Sequence, residues 1–246
     1  MAGRIRVGIG GWVYAPWRDN FYPAGLRQKD ELAYVGAHLT ATEINATYYS
    51  SHKPATFASW AKVVPDGFQF AVKASRYCTN RKVLAEAGDS IAKFTKQGIV
   101  ELGDRLGPIL WQFMPTKRFD PDDFGAFLRL LPASVDGVAL RHAVEVRHES
   151  FDDPAFLEMA RNAGVAVVLA DHDSYPAIQG YDVGFSYLRL MRTQAEETTG
   201  YSPTDINHWT DQARTLAKQG DVYAFVIGGA KERNPAAAKA LIAVLG

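Results

Sequence analysis

Residues 143–171 read AVEVRHESFDDPAFLEMARNAGVAVVLAD, and this stretch holds the repeating unit of the fold. From Ala143 to Arg147 apolar and charged residues alternate, as in a strand with two different faces. Asp153 then stands before Pro154, a proline that can open a helix without losing a needed hydrogen bond while the aspartate caps it. The helical pattern runs to Ala163, Gly164 suits a left-handed cap, and a second apolar strand leads to Asp171. A strand, a helical crossover and another strand make parallel neighbours, not a hairpin.

The same alternation covers the whole chain. Strands are expected to begin near Ile5, Thr42, Phe68, Pro108, Ala143, Ala166, Phe185 and Val222. Helices are expected over 28–38, 54–64, 89–102, 121–131, 154–163, 203–218 and 235–245, with Gly220 as another left-handed cap. The stretch from Asp173 to Gly184 is too irregular for a full helix. A length of 246 residues suits one barrel. The expectation is an α/β fold: a single TIM (β/α)8-type barrel over 1–246, with an irregular or missing helix between strands six and seven.

Twenty-seven basic and twenty-seven acidic residues cancel, so net charge gives no pull toward nucleic acid or an anionic membrane. The lone Cys78 leaves no intrachain disulfide and no thiolate cluster. The N-terminus runs into a strand with no apolar signal core, and no stretch is long enough to span a bilayer; a cytoplasmic location is expected.

Period two selects candidate site residues. Glu43 with Asn45, Ala71 with Lys73, Leu110 with Gln112, Glu145 with Arg147, Leu169 with Asp171, and Tyr187 with Arg189 each share a face. Placed inside a barrel, they bring three carboxylates (Glu43, Glu145, Asp171) to three cations (Lys73, Arg147, Arg189) at the carboxyl ends of the strands, where barrel enzymes work. Buried charges persist only when paired, so the set is either a structural ion network or a cup for an anionic or polyhydroxylated ligand. Trp12 is a candidate stacking lid, equally a plain cover for the barrel end.

No His-x-His or His-Glu-x-x-His spacing occurs, and Gly8, Gly10 and Gly11 lack the third glycine and immediate helix of a dinucleotide fingerprint. No nucleotide cofactor is expected. A divalent metal at Glu43, Glu145, Asp171, His148 and His172 is conceivable by position and disfavoured by the neighbouring cations, so no metal ligand is assigned.

The motifs Glu43-Ile44-Asn45-Ala46-Thr47-Tyr48-Tyr49, Leu106-Gly107-Pro108-Ile109-Leu110-Trp111-Gln112 and Glu145-Val146-Arg147-His148, with Gly8-Ile9-Gly10-Gly11-Trp12 and Tyr187-Leu188-Arg189-Leu190, resemble the YecE-like family, also called domain of unknown function 72. The resemblance runs nearly end to end and implies a TIM-barrel fold, but no substrate, because the activity of that family is unassigned. Three positions depart from its pattern: Asn80 and Met191 stand where histidines are usual, and Ile227-Gly228-Gly229 replaces an amide-and-acid strand end. These departures imply a cup unlined where the last strand meets the first.

The expectation is a small-molecule enzyme (hydrolase, lyase or isomerase) acting on an anionic or sugar-like substrate at the C-terminal mouth. Glu43, Lys73, Glu145 and Asp171 are the candidate catalytic residues. Trp12, Asn45, Tyr48, Gln112, Arg147, His148 and Arg189 are the candidate substrate-binding residues, with the arginines as anion clamps. Two alternatives stay open: a noncatalytic metabolite-binding protein, and a metal-dependent phosphodiesterase or nuclease acting on nucleic acid, the latter weakened by the neutral charge.

Overall fold

In a computed structural model, which describes residues 2–18 and 20–246, the β-branched and apolar runs form parallel strands: β1 (Ile5–Gly10), β2 (Ala41–Ile44), β3 (Gln69–Lys73), β4 (Leu106–Gln112), β5 (His142–Glu145), β6 (Val165–Val167), β7 (Leu169–Asp171), β8 (Phe185–Leu190) and β9 (Asp221–Val226). They join in the order β6-β5-β4-β3-β2-β1-β9-β8-β7. The two ends of this sheet, β6 and β7, follow one another across Val168, whose N–H donates to the Val144 carbonyl at 2.9 Å. Eight strand positions therefore close into a barrel, one of them broken at a single residue.

Side-chain size alternates around the interior. Ala41, Ala71, Ala143 and Ala166 line one side and Phe185, Tyr187, Tyr223 and Phe225 fill the space from β8 and β9. The opposite faces, with Val7, Ile9, Val144, Leu188, Leu190 and Val226, pack beneath the helices in a larger apolar layer. Large residues set against small ones fill a narrow barrel at close-packed density.

The helices are α1 (Glu31–His38), α2 (Ala46–Tyr49), α3 (Pro54–Val63), α4 (Arg76–Thr79), α5 (Gly88–Thr95), α6 (Pro121–Leu130), α7 (Pro154–Asn162), α8 (Pro203–Ala217) and α9 (Asn234–Leu245). Asp120 and Asp153 cap α6 and α7 as the sequence predicts, and Ser202 caps α8. No helix forms between β7 and β8. The helix expected over 89–102 is shorter than its pattern. It ends at Thr95, and Gly98 turns left-handed (φ 107°) where a Cβ would lie 2.6 Å from Pro54 Cα. Gly164 is left-handed as expected; Gly220 is not, and its missing Cβ instead admits the Gly184 carbonyl.

Each strand's carboxyl end opens toward one rim. The short helices α2 and α4 follow β2 and β3 there, and Thr47 ties α2 down by donating to the Lys73 carbonyl oxygen at 2.7 Å. Among the described residues no helix is long and apolar enough to cross a membrane.

Candidate functional site

Register fixes which side chains enter the mouth. Glu43 lies level with Ala71, Lys73 with Leu110, Gln112 with Glu145, and Arg189 with Phe225, so Glu43, Lys73, Gln112, Glu145 and Arg189 share the inner face. Arg147 follows two residues past Glu145 and folds back over it.

Arg189 is the hub. Its Nη2 donates to Glu43 Oε1 at 3.0 Å, and its Nη1 donates to Glu145 Oε2 and to Gln112 Oε1 at 3.1 Å. Tyr187 donates to the second Glu43 oxygen at 2.6 Å, and Arg147 Nε donates to the second Glu145 oxygen at 2.7 Å. All four carboxylate oxygens are thus occupied. Both glutamates are fully buried and Arg189 is 2% exposed. Burial pushes the Glu145 carboxyl up, but Arg189 and Arg147 outweigh it and hold the carboxyl below its ordinary range. Glu145 is therefore held as an anion near neutrality, which does not suit it to act as a general acid there. The Arg189 guanidinium also spans the space between the two carboxylates, where a glycosidic bond would have to sit for them to act as a glycosidase pair.

Gln112 Oε1 is the second focus, accepting from Lys73 Nζ at 2.8 Å and Arg147 Nη2 at 2.7 Å as well as from Arg189. Lys73 forms no ion pair among the described residues; its ammonium lies 4.4 Å above the Tyr48 ring. Burial and then the Arg189 charge push its pKa down to about 8, against the pull of Glu43 and Glu145. Tyr48 accepts at its hydroxyl from Asn80, one of the residues that departs from the family pattern. Across the mouth Arg147 covers the ring of Tyr175 at 4.5 Å, donates to its hydroxyl at 3.2 Å, and His172 stacks on the same ring.

Three expected members stand elsewhere. Asp171 is level with Leu190 and faces outward, while its neighbour Ala170, level with Arg189, takes the inner face. The narrow interior accepts Ala166, Val168 and Ala170 and sends Leu169 and Asp171 toward the helix layer, so these two do share a face, but it is the outer one and not the inner one expected. There Asp171 accepts from Arg192 and, at 2.7 Å, from Tyr201. Trp12 is not a lid: it packs edge-on against Trp60 and Phe70, outside the barrel. His148 caps the turn Glu149–Phe151 by accepting from Ser150 N–H and turns its Nε2 to Arg118. Asn45, between β2 and α2, stays at the mouth and covers the bare Gly10, where a Cβ would meet Asn45 Nδ2 at 2.9 Å and Ile227 Cγ1 at 3.2 Å. The side expected to be unlined is therefore closed by Asn45 and an apolar Ile227.

With Asp171 removed, the cup holds three cations against two carboxylates, not the balanced set the sequence suggested. Tyr187 shares the Arg189 face by parity, which is the signal that places it in the site; Tyr175 lies in the irregular 172–184 segment, where no period gives a signal. Among the described residues no three His, Cys, Asp or Glu side chains form a group able to hold a metal ion.

A profile of the family described as "Protein of unknown function DUF72" matches residues 6–246. YunF, a UPF0759 protein of Bacillus subtilis (strain 168), is 26% identical over 159 residues, which cover 63% of this chain and 54% of that protein. The chain thus spans about half the length of this curated relative. A DUF72 family protein from Thermotoga maritima MSB8 superposes with a TM-score of 0.78 at 22% identity, over 98% of this chain and 99% of that one. Another from Enterococcus faecalis V583 gives 0.75 at 17% identity, over 99% and 98%. These likenesses in structure are likenesses of fold.

Proposed function

We propose that this chain, which belongs to the DUF72 family, is a small-molecule enzyme that takes an anionic substrate at the C-terminal mouth of its barrel. The observation that carries this reading is the convergence of Lys73, Arg147 and Arg189 on the single oxygen of Gln112. An amide oxygen has two lone pairs, so three cationic donors exceed what it can satisfy. A carboxylate or phosphate oxygen in that position would supply the one negative charge the cup lacks, in charge-assisted bonds that are shorter and stronger than neutral ones. Lys73 is the group able to exchange a proton near neutrality, with its pKa at about 8.

A noncatalytic metabolite-binding protein is the second reading. It is favoured by the full occupation of both glutamates, which leaves neither carboxylate free to act as an acid or base.

Thermal denaturation with inorganic phosphate or pyruvate tests the anion site. Ligand at a hundred times its dissociation constant should stabilise the fold by about 2.7 kcal/mol. Arg147→Met should weaken that response at least tenfold in apparent affinity, whereas Asp171→Asn, on the outer face, should leave it intact. Absence of any stabilisation by these or other small carboxylates and phosphates would sink the reading.

A further inference from the structure

Lys73 is set apart from the other buried charges. Glu43 and Glu145 stand in the same cup, yet Arg189, Arg147 and Tyr187 take all four of their oxygens, so the ammonium meets one amide oxygen and the face of one ring. A structural lysine in a cup with two carboxylates would pair with one of them. This amine is held in place by Gln112 and Tyr48 but is poorly satisfied, the situation in which a lysine serves as a nucleophile.

We propose that Lys73 forms a Schiff base with a 2-oxo acid. The inference rests on the anion site proposed above. Its substrate class follows from distance: Lys73 Nζ, Arg147 Nη2 and Arg189 Nη1 all reach one point, 2.8, 2.7 and 3.1 Å away. An anionic oxygen that replaces the Gln112 amide there touches the amine directly, so the electrophilic carbon must lie only two bonds from that oxygen. A carboxylate adjacent to a carbonyl meets that requirement; a sugar phosphate, with its carbonyl further from the charge, does not.

The neutral amine donates its lone pair to the carbonyl carbon, and the π pair of the carbonyl moves to its oxygen. A proton passes from nitrogen to that oxygen to give a carbinolamine. One further proton from solvent lets the hydroxyl leave as water, and the nitrogen lone pair forms the C=N bond of an iminium. The iminium keeps the positive charge that the ammonium carried, and the substrate carboxylate offsets the cup's surplus cation. The lowered pKa leaves a useful fraction of free amine near neutral pH.

The test is reduction with sodium borohydride in the presence of pyruvate, using the full chain, with peptide mapping by mass. One reduced adduct is expected on Lys73, none with borohydride alone and none in Lys73→Arg, and excess inorganic phosphate should slow trapping. Should Lys73→Arg fail to fold, the pH profile of the wild-type protein decides. With pyruvate far below saturation, so that the profile reports the ligand-free amine, trapping should be half-maximal near pH 8, and a half-rise at the ordinary lysine value marks surface chemistry and overturns the proposal. No adduct at Lys73 while pyruvate still stabilises the fold overturns the Schiff base and leaves the anion site standing. Neither adduct nor stabilisation by pyruvate or phosphate overturns both.

Discussion

The two ends of the barrel are plugged by the same chemistry under different conditions. At the amino-terminal end Asp221 accepts from Arg6 at 3.0 Å and from Arg141 at 3.4 Å, while Arg141 also reaches Gln69 and Tyr223. That end carries two cations against one carboxylate, and the carboxyl-terminal end carries three against two. The excess is equal, but the burial is not. Asp221 and Arg141 keep 29% and 34% of their side chains in water, whereas Glu43 and Glu145 keep none. Water screens the lower surplus charge; the upper one lies at low dielectric, where burial and then the Arg189 charge depress Lys73. Stability explains the lower cluster, and the anion proposed above would complete the upper.

The largest test of this contrast is Arg189→Met. It strands two buried carboxylates and should cost about 3 to 5 kcal/mol in urea denaturation, as breaking a buried ion pair does. Adding Glu145→Gln to Arg189→Met should recover part of that loss. A cost below about 1 kcal/mol would show the upper network to be as well screened as a surface pair.

Next comes Lys73→Met. The folded pKa of Lys73, about 8, lies below its ordinary 10.5, so over that interval the unfolded chain holds more protons and stability rises with pH. The penalty is present in full below pH 8 and is relieved as pH climbs to 10.5. Removing the charge relieves about 3 kcal/mol near pH 7 in the ligand-free protein, and the lost contacts with Gln112 and Tyr48 offset part of it, so the variant should be the more stable chain there. That advantage should fade at alkaline pH and shrink when phosphate is bound. Equal stability of both chains across this range would mean that the surplus charge is not felt.

The smallest effect belongs to Asp221→Asn, about 1 kcal/mol or less at neutral pH. Burial raises its carboxyl, but the Arg4 N–H, Arg6 and Arg141 outweigh burial and leave it below the ordinary 3.8. Its stabilisation is present above that value and lost as pH falls through the lower folded one, so the variant should lose part of the acid sensitivity measured by circular dichroism. A loss as large as that of Arg189→Met would erase the distinction between the two ends.

Much of this site is legible as a sequence because strands are periodic. Glu43, Lys73, Gln112, Glu145 and Arg189 all lie on strands, and the pleat carries each to the same face as Ala41, Ala71, Leu110, Ala143 and Tyr187, two positions before them. Trp12 and His148 follow strand ends, where no pleat constrains direction. Trp12 went to the apolar gap beside Trp60, and His148 to an unpaired N–H. Asp171 shows the limit even within a strand: period two gives two faces and does not label them. The small residues Ala166 and Ala170, which repeat the pattern of Ala41, Ala71 and Ala143, were the available clue to the inner face.

The amino-acid sequence by itself determined the order of strands and helices, the caps at Asp120 and Asp153, and the residues that share a face, since propensity, capping and pleat act over a few neighbouring positions. The tertiary structure alone decided which face of the sixth strand position points inward, which carboxylate oxygens each arginine takes, and that Lys73 is left without one among the described residues. Those outcomes depend on barrel closure, which sets the width available to side chains from strands as distant in sequence as β2 and β8. The charge of the cup is a sum over side chains that meet only after closure, and no local pattern contains that sum.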